Sequence, residues 1–218
     1  DDLVDLAPEL VVVDQHFTSA REQHPARRFE YGMALRALST WKATRASEPL
    51  PLAVDVGGAG SPFWRMVMDQ NPPAVTECLI LDPDQPNGFT LGQYLQTQRP
   101  QMFPVVFCLS VLEHVEDLDR FLYHLSCLVA PGGLLFLTMD CWDQEGPDTA
   151  HFHWDRKRIF SMDEWFGIYD RLSGEDLLQT NQIFDVLGDD EEFTEGVYNG
   201  HQLFGSYSFA SLALVKRS

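Results

Sequence analysis

Short apolar runs that alternate with helix-like stretches dominate the middle of this 218-residue chain. The clearest runs are PLAVDVG, TECLILDPD, PVVFCLS and LLFLTMD, and each ends in an acidic or a small residue. Continuous apolar strands of this kind are typical of parallel sheets that are buried on both faces. Because parallel strands are joined by right-handed crossovers, the repeated strand and helix units predict a doubly wound α/β sheet.

The stretches between these runs carry helix signals. SPFWRMVMDQ follows the first run, with Ser61 suited to an N-cap and Pro62 to a first helical turn. VEDLDRFLYHLSCLVAPGG places its large apolar residues on one helical stripe and ends at Pro-Gly-Gly. FTLGQYL is a weaker candidate for a strand followed by a helix.

The two ends of the chain differ from the middle. PARRFEYGMALRALSTW has near-helical spacing, so we expect residues 1–50 to form a helical lead-in. NQIFDVLG and YSFASLALVKRS predict two last strands, paired antiparallel at one side of the sheet. Since no repeat or linker is visible, we expect one domain over residues 1–218, with a first half at 51–140 and a final segment at 141–218.

The charge balance bounds the partners that the chain can bind. The 33 acidic and 15 basic residues give a formal net charge of -18, which repels the phosphate backbone of nucleic acid. We therefore expect a small-molecule partner and no nucleic acid.

The cysteines and the hydropathy pattern indicate the cellular compartment of the protein. The four cysteines show no CxxC pair and no zinc spacing, which predicts free thiols. No apolar run approaches the roughly 18 to 20 residues that span a bilayer, and the first residues lack the basic flank of a signal peptide. We expect a cytoplasmic protein without a membrane span; the pattern does not indicate an oligomeric state.

The first apolar run leads into a glycine-rich turn, VDVGGAGSPF, from Val54 to Phe63. In an open α/β sheet, ligands bind beyond the carboxyl ends of the strands, at the point where the strand order reverses. Gly57, Gly58 and Gly60 would let the chain turn sharply and let a ligand approach the backbone. The same glycines also fit a tight turn that binds nothing.

Asp82 ends the second apolar run, in CLILDPD. A carboxylate at this place can accept hydrogen bonds from the two hydroxyls of a ribose, although an acid there can also be a solvated loop residue. Paired with the glycine turn, the ribose role is favoured. A dinucleotide would require a further glycine inside the next helix, where Pro62 and Phe63 stand. The pattern therefore disfavours a dinucleotide-dependent oxidoreductase, which stays the alternative.

VDVGGAGSPF, LILDPD and VVFCLSVLEHVEDLDRFLYHLSCLVAPGGLLFLTMD, in this order, resemble the class I, Rossmann-like family of S-adenosylmethionine-dependent methyltransferases. The resemblance extends from about Leu52 to Asp140 and, more weakly, to YSFASLALVKR. It implies a mostly parallel seven-stranded sheet with an antiparallel last strand. It also implies S-adenosylmethionine as cofactor, S-adenosylhomocysteine as product, and methyl transfer to a small organic or sugar-like acceptor, at oxygen in preference to nitrogen.

The resemblance also implies which residues bind the cofactor. The glycine turn would face the methionine end and the ribose, with Asp55 bracing it from below, and Asp82 would take the ribose hydroxyls. Ala59 and Ser61 stand where the family commonly has glycine. The implied cofactor-binding residues are Asp55, Gly57, Gly58, Ala59, Gly60, Asp82, Pro83, Thr90, Leu91, Leu109, Ser110, Glu113 and His114.

Methyl transfer from a sulfonium is an in-line displacement that depends mainly on alignment and on the exclusion of water. A general base is needed only for a hydroxyl or a protonated amine. The candidates follow the fifth predicted strand: His153 and His151, because an imidazole titrates near neutral pH, and then Asp140. Each of them also fits a loop or packing role. The two histidines could instead bind a metal with Asp140 or Asp148, but without a further ligand at a recognised spacing we expect no metal.

Aromatic residues are the candidates for the acceptor's wall, although they also suit an ordinary core. They occur on the N-terminal helix, at Phe29 and Tyr31, in the segment Trp142 to Trp165, and in the loop Phe193 to Tyr207. A different class of function also remains open, a non-catalytic partner subunit that only binds the cofactor.

Overall fold

The computed structural model describes residues 7–17, 25–45, 52–69, 75–86, 88–97, 102–142, 159–173, 197–198, 201–202 and 207–216. The helices in these ranges are α1 (Ala7–His16), α2 (Pro25–Ala43), α3 (Phe63–Met68), α4 (Leu91–Thr97), α5 (Leu118–Leu128) and α6 (Met162–Ser173), with a 3-10 turn at Leu112–His114. The strands are β1 (Ala53–Val56), β2 (Cys78–Leu81), β3 (Phe103–Leu109), β4 (Val129–Trp142), β5 (Val197–Tyr198), β6 (His201–Gln202) and β7 (Tyr207–Val215).

Five of these strands form the main sheet, in the order β2-β1-β3-β4-β7. β2, β1, β3 and β4 pair in parallel, and β7 pairs antiparallel with β4. β5 and β6 form a separate antiparallel pair. The predicted doubly wound, mostly parallel sheet with an antiparallel last strand is therefore confirmed. Its described part has five strands rather than seven, and NQIFDVLG, predicted as a strand, lies outside the described residues.

FTLGQYL, the weaker candidate for a strand followed by a helix, contributes the helix but no strand. Thr90 and Gln93 form a capping box, in which each side chain accepts a hydrogen bond from the other residue's backbone N–H, at 3.2 Å and 2.9 Å. α4 starts directly after Thr90, and its Leu91 and Tyr94 are buried against the sheet. The helix part of that prediction is confirmed and the strand part is wrong, because the cap fixes a helical first turn.

The two faces of the sheet bury separate sets of apolar side chains. Along β3 and β4 the side chains alternate, so that Val106 and Leu135 face α4, α5 and α6, while Val105 and Leu134 face α1, α2 and α3. Helices on both faces are what buries a parallel sheet completely.

The N-terminal lead-in contains two helices, and contacts fix the direction of the second. Arg28 and Arg36 on α2 pair with Asp14 and Glu9 on α1. At the end of α2, the indole N–H of Trp41 donates to the carbonyl of Gly132, near the start of β4, at 3.2 Å. Near the start of α2, Glu30 in its second turn contacts Thr138, which lies toward the other end of β4. α2 therefore runs antiparallel to β4 and brings its N-terminal turn to the carboxyl edge of the sheet.

Two further expectations can be compared with the described residues. All four cysteines are free, with Cys108 and Cys141 buried and the other two half-buried. Within the described ranges, no helix has both the length and the hydropathy that crossing a bilayer requires.

Candidate cofactor site

A cavity of about 490 Å³ opens at the carboxyl edge of the sheet. From β1 the chain passes to β2 on one side and then to β3 on the other, so the strand order reverses between β1 and β3. The cavity lies at this point, where open α/β sheets bind ligands. Its lining comes from α2 (Arg27 and Tyr31), from Asp55 and the turn 57–61, and from Leu109 and Ser110 after β3.

The three glycines of the turn after β1 are required for different physical reasons. Gly57 has a φ of 80° and donates its N–H to the carbonyl of Leu81, at 2.8 Å. Gly60 has a φ of 73°, and a Cβ on it would meet no atom within 4 Å. A Cβ on Gly58 would overlap the carboxylate of Asp55. Ala59 does not have a positive φ, so its methyl group causes no strain.

Asp82 joins the turns that follow β1 and β2. Its Oδ2 accepts a hydrogen bond from the backbone N–H of Ala59 at 2.9 Å, and its Oδ1 accepts one from Asp84 at 2.8 Å. The residue is 7% exposed. An ionised carboxylate has about four acceptor positions, so two remain for the hydroxyls of a ligand.

Asp55 lies beneath the glycine turn with 2% of its surface exposed. Its Oδ2 has no hydrogen-bond partner among the described residues. Burial raises the pKa of this carboxyl to about 7, and the charges of Asp82 and Glu30 add to the shift. The protonated and ionised forms of Asp55 are therefore both populated near neutral pH.

Glu30 connects α2 to the ends of β3 and β4. It is 2% exposed, and its Oε2 accepts from Nη1 of Arg27 at 2.6 Å. Its Oε1 accepts from Oγ of Ser110 at 2.7 Å and from Oγ1 of Thr138. The carboxylate of Glu30 raises the pKa of the Arg27 guanidinium above its already high value, so this arginine stays charged.

Tyr31 lies beside Arg27 in the cavity wall. Its hydroxyl and Oγ of Ser61 are 3.1 Å apart, and Oγ of Ser61 also accepts from the backbone N–H of Phe63. Ser61 thus supports the first turn of α3, close to the N-cap role that the sequence predicted. Burial raises the pKa of Tyr31 to about 12, so its phenol stays neutral and is not a general base near neutral pH.

The S-V-L-E-H-V turn after β3 braces the end of β4. Glu113 is 2% exposed, and its Oε1 accepts from the backbone N–H of Asp140 at 2.6 Å. Asp140 is half-buried on the same face of β4 as Thr138, and its charge acts on Arg27. His114 is exposed at the end of the turn.

The other predicted residues are distributed around this site. Leu109 and Ser110 line the cavity, and Pro83 is exposed beside Asp82. Thr90 caps α4, and Leu91 is part of the core. His151 and His153 lie outside the described residues, so their role as bases, or as metal ligands with Asp148, stays a prediction. In the described part of the chain, no group of three or more His, Cys, Asp or Glu side chains could hold a metal ion.

The predicted aromatic wall is present in part. Tyr31 lines the cavity, Phe29 packs at the edge of the core, and Trp165 is buried within it. Phe166 is 51% exposed. Side chains of the other aromatic residues, between Trp142 and Trp154 and in the loop Phe193 to Tyr207, lie outside the described part.

Sequence reasoning missed the contribution of α2 and β4 to the cavity. Arg27, Glu30 and Thr138 are not among the residues that the sequence predicts for the site. A local pattern does not reveal this network, because Glu30 is 80 residues from Ser110 and 108 from Thr138. The available signals were an acid in an apolar helix and a threonine in an apolar strand.

Comparisons with known structures identify the fold. The chain is similar to the carbon methyltransferase CurJ, with 12% identity, a TM-score of 0.58, and coverage of 99% of this chain and 60% of that one. It is similar to phosphoethanolamine N-methyltransferase 2 of Haemonchus contortus, solved with phosphomonomethylethanolamine and S-adenosylhomocysteine, with 11% identity, a TM-score of 0.56, and coverage of 96% and 60%. It is also similar to the [4+2]-cyclase SpnF, with 14% identity, a TM-score of 0.53, and coverage of 99% and 94%.

No family model matches the sequence, and no curated protein matches it either. The main sheet of this chain is mostly parallel and carries an antiparallel last strand. The chain has the Rossmann-like fold of class I S-adenosylmethionine-dependent methyltransferases.

Proposed function

We propose that this chain is an S-adenosylmethionine-dependent methyltransferase that acts on a small organic or sugar-like acceptor, at oxygen in preference to nitrogen. The observation that carries the proposal is the arrangement around the cavity. The glycine turn, Asp82 and the end of β3 meet at the place where this fold binds its ligands. Asp82 is buried and still has positions free to accept hydrogen bonds from a ligand.

The described residues fit a nucleoside cofactor. The cavity volume lies within the roughly 300 to 1,000 Å³ of small-molecule sites. The buried Oδ2 of Asp55 lacks a partner among the described residues, and the open space at Gly60 leaves backbone accessible to a ligand. In this proposal Asp82 accepts hydrogen bonds from the ribose hydroxyls, and the turn 57–60 and Leu109 enclose the rest of the cofactor. When bound, the cofactor supplies a methyl group that is activated by a positively charged sulfur.

The residues of this chain would align the acceptor and remove its proton. Because Tyr31 stays neutral, its hydroxyl can orient an acceptor by hydrogen bonding but cannot act as the base. Asp140, near the end of β4, is close enough to Arg27 of the cavity wall for their charges to interact. For a hydroxyl acceptor, His153 or His151 remains the first candidate for the base and Asp140 the second.

Two alternatives remain to be separated from this proposal. A dinucleotide-dependent oxidoreductase would require a pyrophosphate site at the start of α3, where Pro62 and Phe63 stand. A cofactor-binding subunit without catalysis would bind the nucleoside but transfer nothing. The likeness to a [4+2]-cyclase shows that this fold alone does not determine the reaction, so methyl transfer itself has to be measured.

The experiment is calorimetric titration of the purified chain with S-adenosylhomocysteine and, separately, with NAD⁺. We expect heat of binding only with S-adenosylhomocysteine. The chain is then incubated with S-adenosylmethionine carrying a labelled methyl group and a panel of hydroxylated and amine acceptors, and the label is expected in an alcohol or phenol ether. Heat with NAD⁺ alone would contradict the proposal. Binding of the cofactor without transfer to any acceptor would favour the non-catalytic subunit.

A further inference from the structure

Glu30 receives three hydrogen bonds, and their direction is fixed by its charge. An ionised carboxylate can only accept, so Arg27, Ser110 and Thr138 must all donate to it. A serine has one hydroxyl proton. The hydroxyl proton of Ser110 therefore forms the hydrogen bond to Glu30 and is not available to a ligand.

Ser110 is also held in an unusual backbone conformation at the cavity wall. Its φ of 49° lies in the left-handed region, and it is the one non-glycine residue of the described ranges with a positive φ. Its backbone N–H donates to Oγ1 of Thr138, at 3.0 Å. Strained residues of this kind persist where surrounding contacts hold them, often at binding sites. Thr138 is fully buried and cannot reach a ligand, whereas Ser110 lines the cavity.

The hydroxyl oxygen of Ser110 can offer a ligand only its lone pairs. The charges near Ser110 favour a hydrogen-bond donor that carries a positive charge. Glu30, Asp55 and Asp82 are close enough for their charges to interact, and Arg27, the one cation among the described residues that line the cavity, is paired with Glu30. A protonated amine combines a hydrogen-bond donor with the charge that this environment stabilises.

We propose that Glu30 is a positioning residue of the cavity, which takes the proton of Ser110 and so makes Oγ of Ser110 the hydrogen-bond acceptor for a charged amine. This inference rests on the proposed function, since the amine is then the α-ammonium group at the methionine end of the cofactor. Ser110 touches the ligand, and Glu30 acts through it.

The test is calorimetric titration of the wild-type chain and of Ser110→Ala, Glu30→Gln and the double variant with three probes. S-adenosylhomocysteine carries the amine and a carboxylate, its decarboxylated analogue S-adenosyl-3-thiopropylamine carries only the amine, and 5′-methylthioadenosine carries neither. Ser110→Ala should weaken both amine probes about tenfold, the scale of a hydrogen bond to a charged group. Its affinity for 5′-methylthioadenosine should be unchanged.

The double variant separates a positioning role from general destabilisation. If Glu30 acts through Ser110, Glu30→Gln alone weakens the amine probes, and the double variant binds them about as weakly as the weaker single variant, because coupled residues are not additive. Glu9→Gln is the matched control: Glu9 is also a buried helical carboxylate paired with an arginine, Arg36, but it belongs to α1 and does not line the cavity. It should leave all three affinities unchanged.

The outcomes distinguish this inference from the proposed function. Unchanged affinity of Ser110→Ala for the amine probes overturns the inference, as does an equal loss for all three probes, which would indicate a deformed cavity. Additive losses in the double variant overturn the role of Glu30. If Glu30→Gln does not fold, the three titrations of Ser110→Ala still decide whether its oxygen receives the amine. A wild-type chain that binds none of the probes would contradict the proposed function itself.

Discussion

Three carboxylates lie close to one another near the cavity, and each has different hydrogen-bond partners. Asp82 accepts two backbone N–H groups, Glu30 accepts three side-chain donors, and Oδ2 of Asp55 has no partner among the described residues. Because burial without a hydrogen-bond partner at Oδ2 favours the protonated form, the pKa of Asp55 is raised.

Stability at the residue scale should depend on pH through Asp55. Its folded pKa of about 7 lies above the ordinary 3.8, so between pH 4 and 7 the folded chain keeps a proton that the unfolded chain has lost. The contribution of Asp55 to stability is therefore greatest below pH 4 and falls as the pH rises through 7. From pH 5 to pH 8 this amounts to about 2 to 3 kcal/mol.

Urea unfolding of the wild-type chain and of Asp55→Asn at pH 5 and pH 8 measures this effect. The stability of the variant relative to the wild type should rise by that amount between the two pH values. A constant difference would show that Asp55 does not titrate in this range.

Asp82→Ala should weaken the binding of S-adenosylhomocysteine by about 1 to 3 kcal/mol, since it removes buried charge-assisted hydrogen bonds. Asp84→Ala is the matched control, because Asp84 lies on the same turn with an exposed side chain. Both variants are titrated by calorimetry well below their melting temperatures. An Asp82→Ala chain that keeps the wild-type affinity would refute the ribose role.

At the scale of elements, the site depends on helices that start at defined places. α5 begins after Asp117, whose Oδ1 accepts from the backbone N–H of Arg120 at 3.1 Å. A side-chain cap of this kind satisfies a backbone donor that the helix leaves open. α5 packs on β3 and β4 and so supports the strand ends that form the cavity.

Asp117→Ala should lower the free energy of unfolding by about 1 kcal/mol, the typical value of a lost N-cap. Asp119→Ala is the comparison: Asp119 pairs with Arg171 at 2.7 Å, but both side chains are more than half exposed, so the loss should be a few tenths of a kcal/mol. Urea unfolding at neutral pH measures both. The cap would have no special role if the two variants lost equal stability.

The elements that the sequence predicted well are those whose signal is local. The apolar runs around Val54, Leu79, Val106 and Leu135 became β1 to β4, because a strand buried on both faces has to be apolar throughout. The glycine turn was predictable for the same local reason. FTLGQYL was ambiguous because its apolar residues suit a strand, whereas its capping residues Thr90 and Gln93 favour a helix.

The parts that sequence reasoning missed depend on contacts between distant elements. The position of α2 follows from Trp41 and Gly132 at one end and from Glu30 and Thr138 at the other. These contacts arise only when the sheet has formed, so no spacing within α2 reveals them. The cavity wall contributed by α2 therefore needed the structure.

At the scale of the whole molecule, the net charge of -18 should reduce stability at low ionic strength, because like charges repel in the compact state. Raising KCl from about 0.01 M to about 0.15 M shortens the Debye length from roughly 30 Å to 8 Å. We expect the melting temperature at pH 7.5 to rise over this range. A fall would mean that attractive ion pairs, such as Arg28 with Asp14, outweigh the repulsion.

The fold brings together parts of the chain that lie far apart in sequence. α2, the turn after β1, Asp82 after β2, Ser110 after β3 and Thr138 on β4 meet at one edge of the sheet. A cofactor bound there would touch segments from the first third and the middle of the chain. We expect this edge of the sheet to bind the nucleoside of S-adenosylmethionine.

The most direct test is a crystal structure of the chain with S-adenosylhomocysteine. We expect the ribose hydroxyls within hydrogen-bond distance of the Asp82 carboxylate, and the sulfur between the turn 57–61 and Ser110. S-adenosylhomocysteine bound away from this cavity, or bound there with its ribose not in contact with Asp82, would contradict the account.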